Sequence, residues 1–145
     1  MNSVIRQMTA ADKPRVMEMM RTFYASEAVL SNGSEEIFEN DIQTCLNASP
    51  YLEGYVFEEG QMLQGYAMVA KSFSTEFGKP CIWIEDLYVL EAYRGRGIGT
   101  QFLRHIEKKY PAALLRLEVE LENERAIHVY EKCGFEVLPY MEMKK

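Results

Sequence analysis

The run Arg94-Gly95-Arg96-Gly97-Ile98-Gly99-Thr100 constrains the chain most, because its glycines stand between a strand pattern and a helix pattern. Upstream, Ile82 to Leu90 is apolar except for Glu85 and Asp86 and rich in β-branched and aromatic residues, which predicts a buried strand. Downstream, Ile98, Phe102, Leu103, Ile106 and Tyr110 recur at helical spacing. The glycines therefore sit where a strand hands over to a helix. The first turn of a helix has backbone N–H groups without internal partners and carries partial positive charge. Glycine lets an anion approach that backbone closely, and Arg94 and Arg96 add charge. A phosphate-bearing ligand is the expected occupant.

Spacing decides which phosphate ligand is meant. A Walker-type loop needs Gly-Lys-Ser/Thr at its end, whereas Gly99 is followed by Thr100 and Gln101. A dinucleotide fingerprint needs G-x-G-x-x-G, and neither Gly95 nor Gly97 has the third glycine in place. The pattern present is Arg-x-x-Gly-x-Gly, on Arg94, Gly97 and Gly99, after a strand ending Asp-Leu-Tyr-Val. A second pattern follows at Asn123 to Phe135, Asn-x-x-Ala-x-x-x-Tyr-x-x-x-Gly-Phe, on Asn123, Ala126, Tyr130, Gly134 and Phe135. The two in this order resemble the signatures of the GCN5-related N-acetyltransferase (GNAT) family, near its polyamine- or diamine-acetylating branch.

The resemblance implies acetyl-CoA as acetyl donor, an amine-bearing acceptor, either a small molecule or a peptide, and no metal. Backbone groups of Val89 and of Arg94, Gly95, Arg96, Gly97, Ile98, Gly99 and Thr100 would hold the pantetheine and diphosphate, with Asn123 beside the pantetheine arm. A backbone N–H near Leu87 would meet the oxyanion of the tetrahedral intermediate. Glu85 resembles the general base of the polyamine branch, acting through a water, because an ammonium near the lysine reference pKa of about 10.4 has no lone pair. Asp86, its neighbour, points to the other face of a regular strand, so only one of the two faces the cleft unless a bulge intervenes. Tyr130 matches the tyrosine that protonates the departing thiolate.

Bulk properties agree with one globular enzyme domain over 1–145. At 145 residues with 48% hydrophobic and 26% charged, the chain is long enough to bury a core. No apolar run approaches the roughly 20 residues of a membrane span and the first residues show no signal-peptide core, so cytoplasmic residence is the expectation. A net charge of −6 weighs against a nucleic-acid partner and suits a cationic acceptor. Cys45, Cys81 and Cys133 form an odd set with no C-x-x-C pair, which argues against disulfides and zinc. His105 and His128 have no second ligand at metal spacing. A homodimer is compatible with all of this.

Taken in order, Ser3 to Met8 predicts a strand, and Thr9 to Asp12 has the form of a helix start ahead of an amphipathic helix with Val16, Met20, Phe23 and Tyr24 on one face. After a loop over 26–33, Ser34 caps a second helix with Phe38, Ile42, Cys45 and Leu46 inward. By the resemblance this region faces the acceptor, with Tyr24, Glu27, Glu35 and Glu39 as candidates. Tyr51 to Phe57 and Met62 to Ala70 form a hairpin, Ser72 to Pro80 is a loop, and the central strand and its helix follow. Leu114 to Leu121 alternates as a strand parallel to the central one, and Phe135 to Leu138 and Tyr140 to Met143 give a last pair. The expected fold is therefore a mixed α/β single domain: a sheet of six or seven strands, helices on both faces, and central parallel strands that the resemblance implies are splayed. The functional expectation is an acetyl-CoA-dependent N-acetyltransferase on a primary amine. Its alternatives are a polyamine or diamine N-acetyltransferase and a non-catalytic acetyl-CoA-binding sensor or partner subunit.

Overall fold

The structure, a computed structural model, describes residues 3–31 and 33–145. Met1, Asn2 and Asn32, the last within the loop expected at 26–33, lie outside the described residues. The chain runs β1 (Val4–Gln7), α1 (Lys13–Tyr24), α2 (Glu35–Leu46), β2 (Leu52–Glu59), β3 (Met62–Ser74), β4 (Lys79–Val89), α3 (Ile98–Lys109), β5 (Leu114–Leu117) and α4 (Glu124–Lys132). Local chemistry sets the helix starts. The Ser34 Oγ accepts the Ile37 N–H at 3.2 Å, and the Asn123 side chain accepts the Ala126 N–H at 3.3 Å. A 3-10 turn at Ala10–Asp12 leads into α1, and there the Asp12 carboxylate accepts the Thr9 N–H at 2.7 Å.

The strands lie in the order β1-β2-β3-β4-β5, antiparallel through β4 and parallel between β4 and β5, as the crossover through α3 requires. Among the described residues five strands stand where six or seven were expected. The pairing of β5 ends at Leu117, and neither Phe135–Leu138 nor Tyr140–Met143 forms a strand. Alternation reports which way side chains point, but a ladder also needs a neighbouring backbone. Leu121 and Val137 have lost theirs and are 88% and 84% exposed. Pro139 further removes an N–H donor between the two tail segments. The loop expected at Ser72–Pro80 shrinks to 75–78, because Phe73 still pairs with Pro80 and Ser74 with Lys79 on an exposed hairpin end where no core demands an apolar pattern.

Helices cover both faces. Val16 and Met20 of α1 and Phe38 and Ile42 of α2 pack on Val56, Tyr66, Met68 and Tyr88. On the other face Ile98, Phe102, Leu103 and Ile106 of α3 pack on Tyr55, Phe57, Val69, Ile82 and Ile84. Each such buried side chain contributes roughly 1.5–3 kcal/mol. A β-bulge separates the two sets on β4. Met68 pairs with Asp86 and Val69 with Ile84, leaving Glu85 as the extra residue. Ile82 and Ile84 therefore face α3, whereas Asp86 and Tyr88, of the same parity, face α1.

One ion network ties β1 to α1 and β2. Arg6 donates to both Asp12 oxygens at 2.8 and 2.9 Å and to Glu58 at 3.1 and 3.2 Å. The Asp12 pKa is lowered, first by the Arg6 hydrogen bond, with burial opposing. A depressed folded pKa gives stability that is present above the unfolded carboxylate value of about 3.9 and lost as pH falls through the lower folded value. We expect Arg6→Gln to cost about 2 kcal/mol at pH 7, less than a fully buried pair because Arg6 is partly exposed. The variant should also lose part of the wild-type stability decline below about pH 4, both read by denaturant titration.

Candidate active site

The longer of the two central strands outruns its partner. Pairing of β4 with β5 ends at Ile84 and Leu117, while β4 continues to Val89. Beyond that point the strands part and open a cleft of about 1050 Å³. Leu90 N–H donates to Gln64 O on β3 at 2.9 Å, so the two-residue alternation of the strand turns the peptide groups of Leu87 and Val89 away from β3, toward the cleft. The splay expected from the resemblance is thus built from unequal strand lengths.

The glycine run closes one end of this cleft. Gly97 caps α3 in the left-handed conformation, with φ 79°, where a Cβ would be strained. Gln101 N–H is the first to find a helical partner, Gly97 O at 2.9 Å, which leaves the N–H groups of Ile98, Gly99 and Thr100 for the cleft. A Cβ built on Gly97 or Gly99 would meet nothing within 4 Å. This open, donor-rich turn fits the diphosphate of a coenzyme A.

Most of the expected site residues come together. Glu85, Leu87, Val89, Arg94, Gly95, Gly97, Ile98, Gly99, Thr100, Asn123 and Tyr130 all line the cleft. Arg94 Nε donates to Val89 O at 2.8 Å, and its guanidinium lies 5.6 Å from the Tyr88 ring centre, so its direction is fixed. Arg96 does not line the cleft; its guanidinium sits 5.3 Å over the Tyr93 ring. Of the acceptor-side candidates, Glu27 lines the cleft and the Tyr24 hydroxyl donates to Asp86 at 2.8 Å. Glu35 and Glu39 are instead taken by Arg21 and Lys13, both at 2.6 Å on exposed helix faces.

The bulge settles the geometry of the two strand carboxylates. Asp86 is 4% exposed and accepts the Tyr24 hydroxyl at 2.8 Å and the Tyr66 hydroxyl at 2.6 Å. Burial raises its pKa, and the two hydroxyls pull it back. Glu85 opens into the cleft, and its pKa is raised by desolvation first, then by the charges of Asp86, Glu142 and Asp41. Asp41 on α2 is pushed up to about 6 by burial and by Asp86. Neither Asp41 nor Glu142 was singled out in the sequence. Asp41 carried a signal, since it stands between Phe38 and Cys45 at i+3 and i+4 spacing on an apolar stripe; Glu142, in a tail without regular structure, carried none.

Tyr130 projects from α4 with its ring 5.9 Å from Phe135 in an edge-on arrangement, and burial raises its pKa, so the phenol keeps its proton. Burial of Cys45, aided by the Asp41 charge, holds its thiol protonated with a pKa of about 12. Burial and the charge of Lys109 keep His105 below its ordinary value. Among the described residues no three His, Cys, Asp or Glu gather in a metal-holding group, and no helix is long and apolar enough to cross a membrane.

A family model described as acetyltransferase (GNAT) family matches residues 15–135. The thialysine N-epsilon-acetyltransferase of Mus musculus is 30% identical over 79 residues, covering 52% of this chain and 46% of that protein, so the chain spans about half the length of that relative. The protein of the same name from Sus scrofa is 28% identical over 142 residues, 90% of this chain and 82% of that one. Among solved structures, AAC(6')-Iy in complex with the bisubstrate analogue CoA-S-monomethyl-acetylneamine superimposes with a TM-score of 0.82 at 16% identity, over 100% of this chain and 98% of that one. At that identity the likeness shows the fold.

Proposed function

Because the chain belongs to the acetyltransferase (GNAT) family, we propose that it transfers the acetyl group of acetyl-CoA to a primary amine on a molecule carrying a second positive charge, such as a diamine or polyamine. The parting of β4 from β5 after Ile84 and Leu117 carries this reading, since it opens the Leu87 and Val89 peptides, Glu85 and Tyr130 into one cleft. The pig relative's name specifies the ε-nitrogen of thialysine, and a fold neighbour holds a bisubstrate analogue built on CoA.

When bound, acetyl-CoA supplies an activated acetyl thioester. The N–H groups of Ile98, Gly99 and Thr100 hold its diphosphate. The Leu87 N–H faces the cleft, where it would meet negative charge on the thioester oxygen, and Asn123, which caps α4, lines the same cleft. Glu85 takes the proton of the acceptor ammonium, through water, and its raised pKa makes it a better proton acceptor than an ordinary carboxylate. Tyr130 gives its proton to the departing sulfur. Asp86 is spoken for by Tyr24 and Tyr66, so it contributes fixed negative charge rather than proton transfer.

The charges of Asp86, Glu142 and Asp41 add to desolvation in raising the Glu85 pKa, and Asp86 does the same to Asp41, a negative field that favours an acceptor with a second cation. In a CoA-release assay with a panel of amines, diamines, spermidine and thialysine should exceed monoamines of the same length about tenfold in kcat/KM, the factor for one added ionic contact of about 1.4 kcal/mol. Equal rates for monoamines would sink the second-cation reading. Tight acetyl-CoA binding without turnover on any amine, peptide N-termini included, would make the chain a sensor.

A further inference from the structure

Two arginines on the glycine run were expected to meet the cofactor's phosphates, yet the structure leaves only one of them on the cleft. Arg94 is there, steered by Val89 O; Arg96 lies over Tyr93, outside it. A third guanidinium reaches the same place from the opposite wall. Arg125, on the first turn of α4, lines the cleft and brings its Nη2 to 3.7 Å from where a Cβ of Gly95 would stand. It is thus the atom nearest to that glycine's open side. Among the described residues Arg125 has no carboxylate within ion-pair distance, although Glu122 and Glu124 are its neighbours in sequence. A guanidinium with no such partner, over a glycine and beside a turn of unpartnered N–H groups, suits a phosphate oxygen in two-pronged fashion.

We infer that Arg125 is a cofactor-binding residue which closes over the glycine run and contacts a phosphate of acetyl-CoA, supplying from α4 the second guanidinium that Arg96 does not. The assignment deepens the acetyl-CoA reading and rests on it. Its place at Gly95 points to the diphosphate, and the 3′-phosphate offers the same chemistry. The contact would join the two walls of the cleft, since Gly95 follows β4 and Arg125 follows β5. Bound nucleotide would then hold α4, and with it Tyr130, against the loop.

Calorimetry with coenzyme A and with 3′-dephospho-coenzyme A tests this on the wild type, Arg125→Gln and Arg125→Lys. Arg125 is exposed, so the variants fold as the parent does, which circular dichroism checks. Arg125→Gln should weaken coenzyme A about tenfold or more, the factor for one lost charge-assisted hydrogen bond, and Arg125→Lys should recover part of it. An equal loss for both nucleotides places the contact on the diphosphate; a loss confined to coenzyme A places it on the 3′-phosphate. Either result supports a phosphate contact. If the wild type binds coenzyme A and Arg125→Gln binds both nucleotides within twofold of it, the role of Arg125 falls and the acetyl-CoA reading stands. If the wild type binds neither nucleotide, the reading itself falls and takes Arg125 with it.

Discussion

Tyr130→Phe should lower turnover about 100-fold while leaving coenzyme A affinity within about twofold of the wild type, the lower end of what a positioned proton donor contributes. The variant keeps the ring, its edge-on contact with Phe135 and its place on α4, and loses only the hydroxyl. That hydroxyl has a pKa raised by burial, so it stays protonated through the working range and has a proton to give. Without it, on the proposed mechanism, the thiolate would have to leave unprotonated. A residue that merely packed would show the opposite split, with little loss of turnover and some loss of stability. Stopped assays under saturating acetyl-CoA, with calorimetry on the same preparation, separate the two. A variant that keeps full turnover would falsify the proton-donor role and leave the cleft without an acid.

For Glu85→Gln we expect a loss of about 100- to 1000-fold in kcat/KM at neutral pH, together with the disappearance of the acidic limb of the pH profile. On the proposed mechanism the base must be ionised, and the Glu85 pKa is raised by desolvation and then by Asp86, so activity should fall as pH drops through a value above that of an ordinary glutamate. Glutamine cannot titrate, so the remaining rate should be flat there. Asp86→Asn makes the contrast. It should keep the limb but move it to lower pH, because the neighbouring negative charge that lifts Glu85 is gone. It should also cost stability, since both tyrosine hydroxyls donate to the carboxylate now. Loss of the limb in Asp86→Asn, with Glu85→Gln unaffected, would exchange the two roles.

The glycine run was legible because its chemistry is local. A left-handed cap at Gly97 and unpartnered N–H groups in the next turn need nothing beyond that sequence. The helix start at Ser34 was legible for the same reason. The acceptor side was not. Glu35 and Glu39 had the right residue type and were taken by Arg21 and Lys13, partners chosen by how α1 and α2 lie together. Asp41 and Glu142 reach Glu85's surroundings from a helix and a tail far away in sequence, and no spacing rule connects them.

The sequence by itself determined the order of the nine elements found, the crossover that makes β4 and β5 parallel, the glycine turn that opens α3 and the family, since each follows from local periodicity, caps or short motifs read in chain order. Only the tertiary structure decided the strand count, the bulge that puts Asp86 behind the sheet and Glu85 in the cleft, and the placement of Arg125 rather than Arg96 beside the cleft's glycine run. Alternation reads one strand at a time, whereas a ladder, a bulge and a cross-cleft contact are properties of two backbones held side by side.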